Sequence, residues 1–164
     1  MQLRRATAAD SKSVLALNEE SVQFLSPLNH GKLSHLVGQS ALYLVAEEQG
    51  AVVAFLLALR EGAQYDSSNY LWFASRYKQF LYIDRVVVSK ALTAKGAGSL
   101  LYSELFRFAA SRGVPRIACE FDIDPPNTPS ERFHAKFGFQ EVGRQRIAGG
   151  TKLVSLQTAA VTSL

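Results

Sequence analysis

The sequence has little of several features that mark particular classes of protein. Its 164 residues contain one cysteine, Cys119, so the chain can form neither an internal disulfide nor a cysteine-based zinc cluster. No apolar run approaches the roughly 20 residues that a membrane-spanning helix needs, and the first residues lack the apolar stretch of a secretory signal. These absences predict a cytoplasmic protein without a membrane partner, whose core is held together by apolar packing.

Charge of one sign is not concentrated anywhere along the chain. Eighteen Lys and Arg against 14 Asp and Glu give a net charge of +4, and no block of five or more like charges occurs. A nucleic-acid partner is therefore not expected, whereas a small phosphate-bearing ligand is compatible with this surplus. Of the three histidines, His30 and His35 are five residues apart, which is off the usual ligand face of a helix, so no metal site is predicted.

What the chain does contain is the composition of one packed domain, with 48% hydrophobic residues, and alternating strand and helix patterns. A helix that Asp10 can cap is expected first, with Val14, Leu17, Ser21, Phe24 and Leu25 at roughly helical spacing, and a second, shorter helix is expected around residues 32–37. The best helix, with Leu101, Leu105 and Phe108 on one face, ends before Gly113. A last helix is expected at 127–137. The predicted strands are 2–7, 41–47, 52–59, 80–88, 116–123, 138–147 and 152–156, with an antiparallel hairpin at Gln49-Gly50.

Residues 60–79 fit neither period, and we predict a long loop with at most one helical turn. The segment is rich in aromatic residues, among them Tyr65, Trp72 and Tyr77. Long connections inside a compact domain are often binding loops or lids. A small satellite core under the loop explains the same composition, and the sequence leaves both interpretations open.

A loop with two glycines joins the strand that ends at Val88 to the long helix. Gly96 and Gly98 allow the backbone to approach a ligand, and the amide groups at the beginning of the helix point toward one place. This arrangement is typical of a phosphate site. Glycines at a strand-to-helix turn also serve tight packing, so the spacing alone does not decide between the two.

With these residues in view, the chain resembles the GNAT superfamily of acetyl-CoA-dependent N-acetyltransferases. The stretch from Thr93 to Gly98 resembles the family's Gln/Arg-x-x-Gly-x-Gly/Ala signature, with Thr93 in place of the usual Gln or Arg. The run from Asn127 to Gly138-Phe139 resembles the second family motif. The resemblance implies one domain over residues 1–164 with an α+β fold, in which a central twisted mixed sheet of six to seven strands is flanked by about four helices.

The resemblance also implies where acetyl-CoA binds. The pantetheine arm is expected along the end of the fourth strand, which splays from the next one, and the pyrophosphate on the loop amides. The Val88 N–H is the family's usual donor to the thioester carbonyl. The implied cofactor-binding residues are Val86, Val87, Val88, Ala94, Lys95, Gly96, Ala97, Gly98, Ser99 and Asn127.

Two acidic positions are candidates for the base that takes a proton from the amine. Asp84 stands at a strand position where many family members carry an acid, although an ion pair with a neighbouring basic residue explains it equally simply. Glu120 shares one face of the next strand with Asp122, and this pair is the alternative base or an electrostatic clamp for a cationic substrate.

His134 stands where the family usually has the tyrosine thought to protonate the leaving thiolate, and histidine can do the same work. A packed histidine among phenylalanines is the alternative. Tyr82 lies on the same strand face as Asp84 and is a spare donor. The implied acceptor site includes Phe24, Tyr65, Trp72 and Tyr82.

The sequence thus predicts an enzyme that transfers an acetyl group from acetyl-CoA to a primary amine of a small molecule or peptide by direct attack. The alternative is a catalytically silent module of the same fold that binds coenzyme A to regulate a partner. The acceptor's identity and the oligomeric state, a homodimer included, are left open by the sequence.

Overall fold

The computed structural model describes residues 1–91 and 96–162. Within them lie seven strands and five helices, with a 3-10 turn at Ala8–Asp10 and another at Ala148–Gly150. The strands are β1 (Gln2–Arg5), β2 (Leu42–Glu48), β3 (Ala51–Arg60), β4 (Leu81–Val88), β5 (Arg116–Asp124), β6 (Gln140–Ile147) and β7 (Lys152–Ala160). The helices are α1 (Ser11–Glu20), α2 (His30–Gln39), α3 (Ser68–Ala74), α4 (Ala97–Ser111) and α5 (Thr128–Lys136).

The strands form one mixed sheet in the order β1-β2-β3-β4-β5-β7-β6. β4 and β5 pair in parallel through Leu81 with Ile117 and Tyr82 with Ala118, whereas β1–β2, β2–β3, β5–β7 and β6–β7 are antiparallel. The predicted strand number and the predicted β2–β3 hairpin are therefore confirmed. The chain divides into two compact units, and its treatment as one domain over residues 1–164 stays a prediction.

The first unit comprises Met1–Leu59 and Ile83–Phe108. Its central strand β3 is buried from Val53 to Leu59, which explains why that stretch is apolar on both alternating faces. Gln49 and Gly50 make the hairpin turn with φ of 52° and 79°. The helix α1 follows Asp10 as predicted but ends at Glu20, short of the Ser21, Phe24 and Leu25 positions in the predicted pattern. The Asp10 side chain does not cap it, because its carboxylate accepts hydrogen bonds from Arg4 and the Thr7 N–H.

The second unit comprises Arg60–Tyr82 and Ala109–Leu164, and it corrects the prediction for residues 60–79. Ser68–Ala74 forms the helix α3, which Ser67 caps, in place of a loop with at most one turn. Tyr70 and Phe73 of this helix are buried with Phe80. The satellite-core interpretation is thus confirmed, and the seven-residue helix is too short to show a helical period in sequence.

The rest of the second unit is a three-stranded antiparallel arrangement with α5. β7 pairs with β5 along Arg116–Asp124 and with β6 along Gln140–Ile147, and it continues to Ala160, beyond the predicted end at residue 156. Among the described residues, no helix is long and apolar enough to cross a membrane. The same residues contain no group of three or more side chains arranged to hold a metal ion.

Candidate active site

The beginning of α4 is the part of the predicted phosphate loop that the structure describes. Gly96 has a φ of 80°, which places it in the left-handed region that favours glycine, and α4 starts at the next residue. The Leu100 N–H donates to the Gly96 carbonyl at 3.1 Å. The amides of Ala97, Gly98 and Ser99 come before this helical hydrogen bond, at the positive end of a 15-residue helix. Ala94, Lys95 and the Thr93 substitution lie outside the described residues.

The strand that leads to this loop ends as the sequence predicts. Val87 is buried, whereas Val86 and Val88 are half-buried, so the two faces of the strand end differ in exposure. The Ser89 N–H donates to the Val53 carbonyl at 2.8 Å and ties this end to β3. The end of β4 is therefore fixed within the first unit immediately before the loop.

The carboxylate of Asp84 forms an ion pair with a neighbouring basic residue, which is one of the two interpretations that the sequence leaves open. Arg85 Nε lies 2.8 Å from Asp84 Oδ2, and the two side chains are only 4% and 3% exposed. Arg85 also donates to Asn18 and to Ser26 of the first unit. Asp84 is therefore held by a buried guanidinium, whatever further role it has.

Glu120 has a different neighbour in the second unit. The Tyr82 hydroxyl lies 2.9 Å from Glu120 Oε1 and 2.8 Å from Oε2, so one donor spans both carboxylate oxygens. Tyr82 is 1% exposed and packs edge-on against Tyr70, with ring centroids 5.5 Å apart. The aromatic packing fixes the phenol, and the phenol orients the half-buried carboxylate.

Asp122, two residues beyond Glu120 on β5, is paired with a lysine. Lys152 Nζ lies 3.3 Å from Asp122 Oδ2, and the Asp122 side chain is 7% exposed. That oxygen has no hydrogen bond of good geometry in the described part of the chain. The negative charge of Asp122, partly compensated by Lys152, therefore lies on β5 two residues beyond Glu120.

His134 on α5 is buried among aromatic rings. Its Nδ1 lies 2.7 Å from the Ser130 carbonyl, an acceptor only, so Nδ1 carries the hydrogen of the neutral ring. The rings of Phe121, Phe133 and Phe139 lie 5.1 to 5.6 Å from it. Burial lowers the pKa of His134. A proton for a leaving group would have to be carried on Nε2, and burial opposes that form.

Asn127 begins α5. Its side-chain oxygen accepts from the Ser130 N–H at 3.4 Å, and its own N–H donates to the Asp122 carbonyl at 2.9 Å. Both contacts fit a helix N-cap. Cys119 is a buried strand residue, as expected, and burial raises the pKa of its thiol, which argues against a nucleophilic role.

Comparison with known protein families identifies the family of this chain. Residues 14–139 match the model of the acetyltransferase (GNAT) family, which spans β4, the glycine loop and α5. The chain belongs to the GNAT acetyltransferase family. The resemblance inferred from the glycine loop and the Asn127 motif is confirmed.

Individual relatives agree with this family. A phosphinothricin N-acetyltransferase of Streptomyces coelicolor is 41% identical over 64 residues, which cover 39% of this chain and 36% of that protein's length. The crystal structure of Ard1 from Thermoplasma volcanium superimposes with a TM-score of 0.80 at 15% identity, covering 99% of this chain and 98% of that one. The ribosomal-protein-S18-alanine N-acetyltransferase of Escherichia coli gives 0.75 at 13% identity, covering 99% and 95%. These likenesses confirm the predicted GNAT fold.

The residues predicted to line the acceptor site differ in their accessibility. Phe24, in the first unit, is 40% exposed. In the second unit, Trp72 is stacked against the Arg76 guanidinium, 3.8 Å from the ring centroid, and Tyr65 packs edge-on against Tyr70. The Tyr82 hydroxyl donates to the Glu120 carboxylate. Their contact with an acceptor stays a prediction.

Sequence reasoning anticipated a basic neighbour for Asp84 without naming Arg85, and it missed Asn18. Arg85 follows Asp84 directly in an apolar strand, and this pairing of opposite charges was the signal available. Asn18 is 1% exposed at the end of α1, and nothing in its neighbours' sequence marks it as a partner of Arg85. The network could be found only once α1 and β4 are brought together in space.

Proposed function

We propose that this chain is an N-acetyltransferase that uses acetyl-CoA to acetylate a primary amine of a small molecule or peptide. The observation that carries the proposal is the beginning of α4, the next α-helix after β4, where a left-handed Gly96 presents the amides of residues 97–99 at the helix N-terminus. Such amides fit a pyrophosphate. Family membership supports acetyl-CoA as the cosubstrate.

In this proposal the chain binds and orients both reactants. Acetyl-CoA supplies the thioester carbonyl that the amine attacks. Residues 94–99 bind the pyrophosphate end, and Val86 and Val87 bind the pantetheine arm. Asn127 is a further cofactor contact, and the Val88 N–H stabilises charge on the carbonyl oxygen. Relatives named for phosphinothricin and for the alanine of a ribosomal protein support an amine acceptor of either size.

The proton of the attacking amine needs an acceptor, because an amine with a pKa near that of lysine is almost wholly charged at pH 7. We assign this role to Glu120 and place Asp84 second. The Tyr82 hydroxyl keeps the Glu120 carboxylate in one orientation, whereas Arg85 already engages Asp84 Oδ2. The Glu120 carboxylate also suits a cationic acceptor.

His134 is proposed as the donor to the leaving thiolate on the strength of its family position. Burial lowers its pKa, so the charged form becomes scarcer as the pH rises above the acid range. A rate that falls with rising pH in the wild-type chain and loses that dependence in His134→Phe would support the role. An unchanged pH profile in a folded His134→Phe would contradict it.

The activity is tested by thiol release from acetyl-CoA with a panel of small amines and peptides. Turnover with one class of amine, together with calorimetric binding of coenzyme A, is the expected result. Binding of coenzyme A without turnover on any amine would favour the catalytically silent module. Absence of binding by the folded chain would contradict the proposal as a whole.

Glu120→Gln is the variant that tests the base. It keeps the size of the side chain and removes its basicity, so kcat should fall by roughly 10²–10⁴-fold while coenzyme A affinity is retained. Glu48→Gln, at the end of β2 in the other unit, makes the same chemical change and should leave kcat unaltered. If kcat is the same in Glu120→Gln and Glu48→Gln, Glu120 is not the proton acceptor. Asp84 is then the candidate, and Asp84→Asn tests it.

A further inference from the structure

One buried guanidinium joins two parts of the first unit. Arg85 lies on β4 with its side chain 4% exposed, and its Nε donates to Asp84 Oδ2 at 2.8 Å. Adjacent side chains of a strand ordinarily point to opposite faces, so this contact uses the reach of the long arginine side chain to cover a buried carboxylate. The ion pair accounts for one of the five N–H groups of the guanidinium.

Other N–H groups of Arg85 bind α1 and the segment that follows it. Arg85 Nη1 donates to Asn18 Oδ1 at 3.0 Å and to the Ser26 carbonyl at 3.2 Å, and Nη2 donates to Ser26 Oγ at 3.0 Å. Asn18 is itself 1% exposed and donates to the same Ser26 carbonyl at 3.2 Å. Ser26 is thus held by its hydroxyl and its carbonyl at once.

The segment that Ser26 belongs to, residues 21–29 between α1 and α2, has little burial of its own. Val22 is 38% exposed and Phe24 is 40% exposed. Phe24 and Leu25 donate their N–H groups to the nearby Ser21 carbonyl, so these bonds are local turns. A segment of this kind opens at low cost unless another element holds it. The contacts of Arg85 with Ser26 supply such a hold from β4.

We propose that Arg85 is a positioning residue that fixes residues 21–29 against β4 and thereby sets the affinity for the amine acceptor. The second half of this inference rests on the proposed function, since that segment carries Phe24, a predicted acceptor contact. A buried ion pair adds little stability by itself, so its benefit is the defined geometry that it imposes. The planar, forked guanidinium binds a carboxylate, an amide and a serine together in one fixed geometry, which the compact ammonium of a lysine does not impose.

The hold on the segment is measured by hydrogen exchange of the peptide covering residues 21–29. Arg85→Lys keeps the positive charge beside Asp84 but loses the fork, so exchange in this peptide should be roughly tenfold faster or more. Ser26→Ala removes one acceptor and should give a smaller increase in the same peptide. Arg107→Gln, on the exposed face of α4 where Arg107 pairs with Glu104, is the matched control and should change nothing there.

Thermal unfolding followed by circular dichroism verifies that each variant is folded. Should Arg85→Lys fail to fold, Ser26→Ala and Asn18→Ala carry the same test. Unchanged exchange of residues 21–29 in folded Arg85→Lys, or in both substitute variants, would overturn the proposal.

The effect of Arg85 on affinity for the amine acceptor is measured by steady-state kinetics with an amine that the wild-type chain acetylates. Arg85→Lys should raise KM for the amine by roughly tenfold while KM for acetyl-CoA stays within about twofold, a split that a general loss of structure would not produce. Faster exchange with an unaltered amine KM would overturn the positioning role. If the wild-type chain acetylates no amine, the proposed function and the effect of Arg85 on acceptor affinity are both refuted. The exchange measurement still decides whether Arg85 holds residues 21–29.

Discussion

Replacement of Gly143 by alanine should destabilise the second unit because a methyl group has no room there. A Cβ at position 143 on β6 would overlap Trp72 Cζ2 and lie 3.0 Å from Cη2. The Trp72 ring has little freedom to retreat. Arg76 stacks on it at 3.8 Å, and Phe73 meets it edge-on with ring centroids 5.2 Å apart. The glycine is therefore required by close packing of an aromatic ring on the strand.

The magnitude follows from two opposing terms. A methyl group forced into a filled site lowers the free energy of unfolding by about 1–3 kcal/mol. Alanine also has less conformational freedom than glycine in the unfolded chain, which raises the free energy of unfolding by about 0.5–1 kcal/mol. The midpoints of the two ranges leave a net loss in the free energy of unfolding of about 1 kcal/mol. For a chain of this size each kcal/mol lowers the midpoint of thermal unfolding by roughly 2–4 °C, so a decrease of about 2–4 °C is expected.

Thermal unfolding followed by circular dichroism measures this decrease, and a second glycine provides the control. Gly38 in α2 has no heavy atom within 4 Å of its Cβ position, so Gly38→Ala should instead raise the midpoint through the better helix propensity of alanine, about 1 kcal/mol at most. If Gly143→Ala were as stable as the wild-type chain, the packing of Trp72 on β6 described above would be wrong.

Two further changes test buried polar groups of the first unit. The Arg4 guanidinium, which donates to Asp10, holds the pKa of that carboxyl at about 2, so its stabilising effect is present above about pH 4 and is lost as the pH falls toward 2. Asp10→Asn, which also weakens the bond from the Thr7 N–H, should lower the free energy of urea unfolding by about 0.5–2 kcal/mol at pH 7 and by much less at pH 2; an equal cost at both would contradict this. The Tyr43 hydroxyl is buried without a hydrogen-bond partner in the described part of the chain, and burial raises the pKa of Tyr43 to about 12. Tyr43→Phe should therefore leave stability unchanged or raise it by up to about 1 kcal/mol, and a clear loss in urea unfolding would mean that the hydroxyl has a partner.

The elements that sequence predicts well are those with a strong pattern of their own. β3 is apolar on both faces because it lies inside the sheet, and α4 carries Leu101, Leu105 and Phe108 on its buried face before the left-handed Gly113. These features are local, so a window of a few residues contains the whole signal. The glycine before α4 is predicted for the same reason, since the left-handed φ of Gly96 is a property of that residue itself.

What sequence does not predict are the features whose partners are far along the chain. α3 is stabilised by burial of Tyr70 and Phe73 in the second unit, and seven residues are too few to show a helical period. Gly143 and Trp72 are 71 positions apart, so neither residue indicates in sequence that the other lies against it. Such pairs depend on the order of strands in the sheet, which a local pattern does not contain.

The candidate carboxylates show why the same limit affects function. In sequence, Asp84 and Glu120 are both candidate bases, since each is an acid in a strand with apolar neighbours. Their partners distinguish them, because Arg85 Nε engages Asp84 Oδ2, whereas the Tyr82 hydroxyl reaches both oxygens of Glu120 and orients that carboxylate. The choice of Glu120 as proton acceptor, and of Arg85 as a positioning residue, therefore depends on which side chains the fold brings to each acid.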